Sequence, residues 1–141
     1  MQTPPHAAVL VVEDDPNTLA GYVELLEAAG LHAAGIANGA EALGLAISTR
    51  PDIVVTDIAL PGMDGLSLAE ALRADGRTRG IPVIGLTAQW SPDVRGNATR
   101  AGISTLLLKP CLPDHLLAEI RRTLKHARDA ARAERAPQSE S

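Results

Sequence analysis

The 141-residue sequence contains no phenylalanine, one tyrosine (Tyr22) and one tryptophan (Trp90). A folded core must therefore be aliphatic, drawn from 19 Leu, 8 Ile, 8 Val and 24 Ala. The shortage also argues against single-stranded nucleic-acid binding, which stacks bases on aromatic platforms. A basic surplus is missing too: 13 Lys and Arg face 17 Asp and Glu, a net charge of −4, whereas a nucleic-acid footprint is basic. The single cysteine, Cys111, cannot form an internal disulfide, which fits a reducing compartment. No apolar run approaches the roughly 18 residues of a membrane span. The N-terminus MQTPPHAA lacks the basic and apolar regions of a secretory signal. These absences describe a cytoplasmic chain that touches neither nucleic acid nor membrane directly. The length suits one domain, large enough to bury a core without disulfide or metal staples.

What is present is a strict alternation. Apolar runs at 7–12, 31–36, 53–55, 81–86 and 105–108 read as strands, the first unbroken and suited to burial on both faces. Between and after them lie helical stretches. One opens at Pro16 and carries Leu19, Val23 and Leu26 at helical spacing before Gly30. Others run over 39–48, 66–74 and from Ser91-Pro92-Asp93 to Gly102. A last one opens at Pro113-Asp114 with Leu117, Ile120 and Leu124 on one face. Five strands alternating with five helices predict a parallel sheet covered on both faces, an α/β doubly wound fold. Residues 1–6 read as an N-terminal extension and 7–126 as the domain. Residues 127–141 read as a charged helical extension passing into a disordered tail from Ala136.

Ligands of such sheets bind beyond the carboxyl ends of the strands. There the first strand delivers Glu13, Asp14 and Asp15, the third Asp57, the fourth Thr87 and Ala88, and the fifth Lys109 and Pro110. Glu13, Asp14 and Asp57 against Lys109 leave a surplus of negative charge, and crowded carboxylates raise one another's pKa. A divalent cation would cancel it. An all-oxygen set indicates Mg²⁺, Mn²⁺ or Ca²⁺ rather than zinc. The plain alternative, helix capping, weighs most for Glu13 and least for Asp57.

The segments LVVEDDP (10–16), DIVVTDIALPGMDG (52–65), LTA (86–88) and LLLKP (106–110) together resemble the receiver domain of bacterial two-component response regulators. The resemblance spans about residues 7–126. It implies a (βα)5 flavodoxin-like fold with strand order 2-1-3-4-5. It implies that Asp57 takes a phosphoryl group from a phosphohistidine of a sensor histidine kinase or histidine phosphotransfer protein. Mg²⁺, with Mn²⁺ as a substitute, would be held by Asp14, Asp57 and the backbone carbonyl of Ala59, and by Glu13 through water. Lys109 would pair with a phosphoryl oxygen, and Thr87 with another once Asp57 is modified. A cis Lys109-Pro110 bond is implied as well. The positions that modulate phosphate lifetime in the family are Ala59 and Gln89 here. The domain would promote only its own phosphorylation and dephosphorylation and act on a downstream protein target. A homodimer is left open.

Two departures fall on the output side. Receivers commonly carry an aromatic ring three residues before the Lys and another after Lys-Pro; here those positions hold Leu106 and Cys111. Leu106 cannot move a ring inward behind Thr87. The readout is therefore expected to pass to Trp90 and to the outer surface of the fourth helix, fifth strand and fifth helix. For Trp90 itself the commoner expectation is a core position, and the sharper one a partner-facing anchor.

Other readings fare worse. A haloacid-dehalogenase-like phosphatase needs a second Asp two residues after the nucleophile, where this chain has Ala59. A flavodoxin-like FMN protein needs a hydroxyl-rich phosphate loop where this chain has Glu13-Asp14-Asp15. A degenerate receiver used only as a binding scaffold would not require Asp14, Asp57, Thr87 and Lys109; a receiver-like scaffold or phosphate sink with altered output switching is the alternative kept. His6, His32, His115 and His126 show no metal-ligand spacing, and Cys111 reads as a small packed hydrophobe. Asn97-Ala98-Thr99 matches a glycosylation acceptor but has no secretory signal beside it.

Overall fold

The computed structural model describes residues 7–135. The expected N-terminal extension (1–6) and disordered tail (136–141) lie outside the described residues. The elements run β1 (Ala8–Val12), α1 (Pro16–Ala28), β2 (His32–Ile36), α2 (Gly39–Thr49), β3 (Ile53–Asp57), α3 (Gly65–Ala74), β4 (Val83–Thr87), α4 (Pro92–Ala101), β5 (Thr105–Leu108) and α5 (Pro113–Arg135). All strand pairs are parallel, in the order β2-β1-β3-β4-β5. This is the doubly wound, flavodoxin-like arrangement the alternation predicts.

The strands' period of two divides the aliphatic residues between two cores. Val9, Val11, Ile53, Val55, Ile84 and Leu86 face α1 and α5, where Leu26, Leu116 and Ile120 close the layer. Leu10, Val12, Val54 and Val83 face α2, α3 and α4, meeting Ala46, Leu68, Leu72 and Ala98. Each fully buried Leu, Ile or Val stabilises the fold by roughly 1.5–3 kcal/mol, so a core without phenylalanine suffices. Alanines on the inner faces of α2 and α4 let those helices lie close to the sheet.

Local chemistry sets the helix starts. Asp15, Asn38, Asp64 and Ser91 each accept a backbone N–H from three residues on, at 2.8–3.1 Å, satisfying an orphan donor of the first turn. Gly102, at φ 97°, ends α4 in the left-handed conformation. Gly65 has a different reason: a Cβ there would overlap the backbone carbonyl of Asp57, so only glycine lets α3 start this close to the end of β3.

One strand start differs from expectation by two residues. β4 begins at Val83 rather than Ile81, because Pro82 has no N–H and the Ile81 amide bonds back to the Thr78 carbonyl. Pairing to β3 therefore opens with the Pro82 carbonyl, which accepts from Val54 N at 3.0 Å. α5 runs unbroken to Arg135, well beyond Leu124, the last of its fully buried apolar residues. Arg122–Glu119 and Lys125–Asp129 pairs line its exposed side, the i,i+3 and i,i+4 support an outer helix face gains.

Candidate functional site

The carboxyl ends of β1, β3 and β5 bring together the residues the sequence singles out. Asp57 is 5% exposed and ends β3. Its Oδ2 accepts a hydrogen bond from Lys109 Nζ at 2.7 Å, and its Oδ1 one from the Ala59 amide at 3.0 Å. Each oxygen keeps a further lone pair. Lys109 follows β5, its own amide donating to the Thr87 carbonyl at 2.7 Å, and the Lys109-Pro110 bond is cis.

Glu13 does not cap α1. Asp15 does, through Thr18 N at 2.9 Å and the Thr18 hydroxyl at 2.6 Å. Glu13 is instead 1% exposed and turned toward Lys109, 3.5 Å away, while its other oxygen accepts from Asp15 N at 3.0 Å. Asp14 is exposed. Carboxylate oxygens of Glu13, Asp14 and Asp57 lie within 4.8 Å of one another. Three carboxylates and one ammonium thus share one edge of the sheet, with hard oxygen donors that suit Mg²⁺ or Mn²⁺.

The electrostatics follow from burial against pairing. Burial pushes the Glu13 carboxyl above its ordinary value, the Asp15 amide and Lys109 offset part of that rise, and the Asp57 charge adds to it. For Lys109, burial alone would pull the ammonium down. Its hydrogen bond to Asp57 and the charges of Asp57 and Glu13 outweigh this and hold it above its ordinary value. The site therefore presents a firmly protonated Lys109 to whatever approaches Asp57.

Thr87 ends β4, buried, with its hydroxyl engaged away from Asp57: it donates to the Gln89 carbonyl at 2.9 Å and accepts from the Gln89 amide at 3.2 Å. Leu106 is partly buried and packs with Ile103 over Gly85. Trp90 corrects the core expectation. It is 50% exposed, because the loop after β4 turns outward to the Ser91 cap before α4 can begin. Its ring carries the Arg95 guanidinium 5.5 Å from its centroid.

One supporting contact escaped the sequence reading. The buried Tyr22 hydroxyl on α1 donates to the Cys111 carbonyl at 2.9 Å, tying α1 to the segment that carries Lys109. The available signal was a lone tyrosine inside an aliphatic helix face, since a buried phenol needs a partner.

Comparison with known proteins gives the family. Residues 9–121 match the response regulator receiver domain family. The chain is 39% identical over 117 residues to the transcriptional regulatory protein PrrA of Mycobacterium tuberculosis, covering 83% of this chain and 49% of that protein. It thus spans about half the length of the curated relatives it matches. Among solved structures it resembles the chemotaxis response regulator CheY4 of Vibrio cholerae (TM-score 0.77, 30% identity, 86% of this chain and 98% of that one). It also resembles the receiver domain of the sensor histidine kinase PA1611 of Pseudomonas aeruginosa, which has a magnesium ion in its active site cleft (TM-score 0.74, 31% identity, 86% and 96%).

Proposed function

The chain belongs to the response regulator receiver family of two-component systems, and we propose that Asp57 is its phospho-acceptor, served by a phosphohistidine of a sensor histidine kinase or histidine phosphotransfer protein. The observation that carries this reading is the Asp57 carboxylate itself. It is buried, held by Lys109 at 2.7 Å and by the Ala59 amide at 3.0 Å, and stands beside two further carboxylates. In the transfer an Asp57 oxygen forms a new O–P bond as the P–N bond breaks. The imidazole nitrogen leaves with the electron pair and takes up a proton.

The chain's own residues do the positioning. Lys109 moves its hydrogen bond from Asp57 to a phosphoryl oxygen, neutralising charge on the group in transfer. Ala88 is small and leaves the approach open. Thr87 gives up Gln89 and bonds another phosphoryl oxygen after transfer. The all-oxygen cluster fits a divalent cation, Mg²⁺ or Mn²⁺, which Asp14, Asp57 and the Ala59 carbonyl would hold, with Glu13 acting through water. Such a cation supplies charge neutralisation at the phosphoryl oxygens. The output is a change in binding to a downstream protein, read at Trp90 and the outer surface of α4, β5 and α5 rather than through Leu106.

The test is intact mass after incubation with a small acyl phosphate and Mg²⁺. One phosphate-sized increment is expected, absent in Asp57→Asn and absent when the cation is chelated. No increment, or an undiminished one in Asp57→Asn, overturns the reading.

A further inference from the structure

Lys109 leaves β5 with its amide bonded to the Thr87 carbonyl at 2.7 Å. The chain is next held at the Leu112 carbonyl, which accepts from Leu116 N at 3.0 Å as α5 begins. Between those two points lie Pro110, which has no N–H to donate, and Cys111. Among the described residues, the main-chain groups of Pro110 and Cys111 make one hydrogen bond: the Cys111 carbonyl accepts from the Tyr22 hydroxyl at 2.9 Å. Packing holds the segment only in part. Leu112 is 71% exposed, and a hollow of about 300 Å³ is lined by Lys109, Pro110 and Cys111 of the segment and by Gly21 and Tyr22 of α1.

Tyr22 itself is firmly placed. It lies four residues before Leu26 on one face of α1 and belongs to the buried core that holds Leu26, Leu116 and Ile120. The start of α1 is fixed to the acidic edge: Asp15 caps the helix through Thr18 N, and its own amide donates to Glu13. A closed circuit of contacts thus runs from Glu13 through α1 to Tyr22, on to Cys111 and back to Lys109. The Lys109 ammonium then faces Asp57 at 2.7 Å and Glu13 at 3.5 Å. A lysine side chain is a flexible stem, so the place of its ammonium depends on where its main chain is held.

We propose that Tyr22 is a positioning residue for phosphoryl transfer: its hydroxyl, by holding the Cys111 carbonyl, fixes the main chain from which Lys109 sets its ammonium beside Asp57. The inference rests on the phospho-acceptor reading and deepens it. Tyr22 acts through Lys109 and leaves the acceptor and the other carboxylates of the site untouched. Stabilising a group in transfer requires donors that are already in place, and a misplacement near 1 Å can cost roughly a hundredfold in rate. Tyr22→Phe removes the hydroxyl oxygen alone, so the core keeps its ring while the segment loses its tie.

The experiment follows phosphoryl accumulation on Asp57 by intact mass, with a small acyl phosphate and Mg²⁺. Tyr22→Phe should lower the maximal rate about tenfold, while the Mg²⁺ concentration that gives half the maximal rate stays unchanged. In a Lys109→Met background the same substitution should add nothing, because the two residues act through one network. A purely structural role would slow both backgrounds alike. Cys111→Ala keeps the carbonyl and should match the wild-type rate. Ile120→Val trims the same core, costs some stability and should also leave the rate unchanged. The proposal is overturned if Tyr22→Phe stays within about threefold of wild type, if it slows the Lys109→Met protein equally, or if either control slows as much. Melting of Tyr22→Phe below the assay temperature overturns it too, since the bond would then be structural only. A wild-type protein with no Asp57-dependent increment overturns the acceptor reading and this one together. Asp57-dependent phosphorylation that Tyr22→Phe does not slow overturns this one alone.

Discussion

Lys109 Nζ lies 2.7 Å from Asp57 Oδ2 across 52 residues of sequence, with Glu13 Oε1 at 3.5 Å on its other side. One ammonium compensates two buried carboxylates. Lys109→Met should therefore slow phosphoryl accumulation on Asp57 by about a hundredfold, the cost of losing one preorganised charge contact to a reacting oxygen. Rates from intact mass with a small acyl phosphate check it. A loss below about threefold would remove Lys109 from the transfer step.

The cation-binding residues make a prediction about stability. A ligand bound only by the folded state stabilises it by about 2.7 kcal/mol at a hundredfold excess over Kd. Mg²⁺ should thus raise the melting temperature by several degrees. Asp14→Asn should abolish the rise while leaving the metal-free melting temperature nearly unchanged, because Asp14 is exposed. Scanning calorimetry with and without chelator reads both.

Tyr22 offers a pH signature on α1. Burial, then the Cys111 thiol and the Glu13 charge, push its phenol above the ordinary 10.0. The folded state then favours the neutral phenol. The associated stability is fully present below pH 10.0 and is lost as pH rises through the folded-state value. Tyr22→Phe should cost about 1 kcal/mol at neutral pH, for the bond to the Cys111 carbonyl. It should also flatten the decline in stability on the alkaline side. Urea titrations at neutral and alkaline pH test the pair, and parallel curves for the two proteins would contradict it.

Gly65, the first residue of α3, has no room for a side chain. Gly65→Ala places a Cβ against the Asp57 carbonyl and the Ile58 Cα, backbone that cannot give way. A loss of about 1–3 kcal/mol is expected from overpacking, along with slower phosphorylation, since the displaced carbonyl belongs to the acceptor. Gly44→Ala, in open space within α2, should be neutral or stabilising.

Much of this was legible before the structure. Unbroken apolar runs mark β1 and the first three residues of β3, as expected of strands buried on both faces. Asp57 and Lys109 stand out as charges at the ends of such runs. Other features depend on tertiary context. Glu13, Asp14 and Asp15 are three adjacent acids with three different fates: buried toward Lys109, exposed, and capping α1. Sequence spacing does not separate them, because a single residue step turns a side chain to another face. Trp90 misleads for a related reason, since size predicts burial only where the backbone stays against the sheet. The Tyr22–Cys111 bond joins residues 89 apart: a lone tyrosine on an aliphatic helix face signals that a partner is needed, but not which one.

The last prediction concerns Thr87, whose hydroxyl holds both the amide and the carbonyl of Gln89. Phosphorylation that draws the hydroxyl toward Asp57 must release both bonds, and the freed loop carries the only tryptophan of the chain. Leu106 has no ring to move, so the loop is the element left to respond. Wild-type protein should therefore change its Trp90 fluorescence on phosphorylation. Thr87→Ala should still gain the phosphate-sized mass increment but lose the fluorescence change, while Thr87→Ser, which keeps the hydroxyl, should retain both. If Thr87→Ala keeps the change, the route from Asp57 to Trp90 does not pass through this hydroxyl. If wild type shows none, Trp90 lies outside the readout altogether.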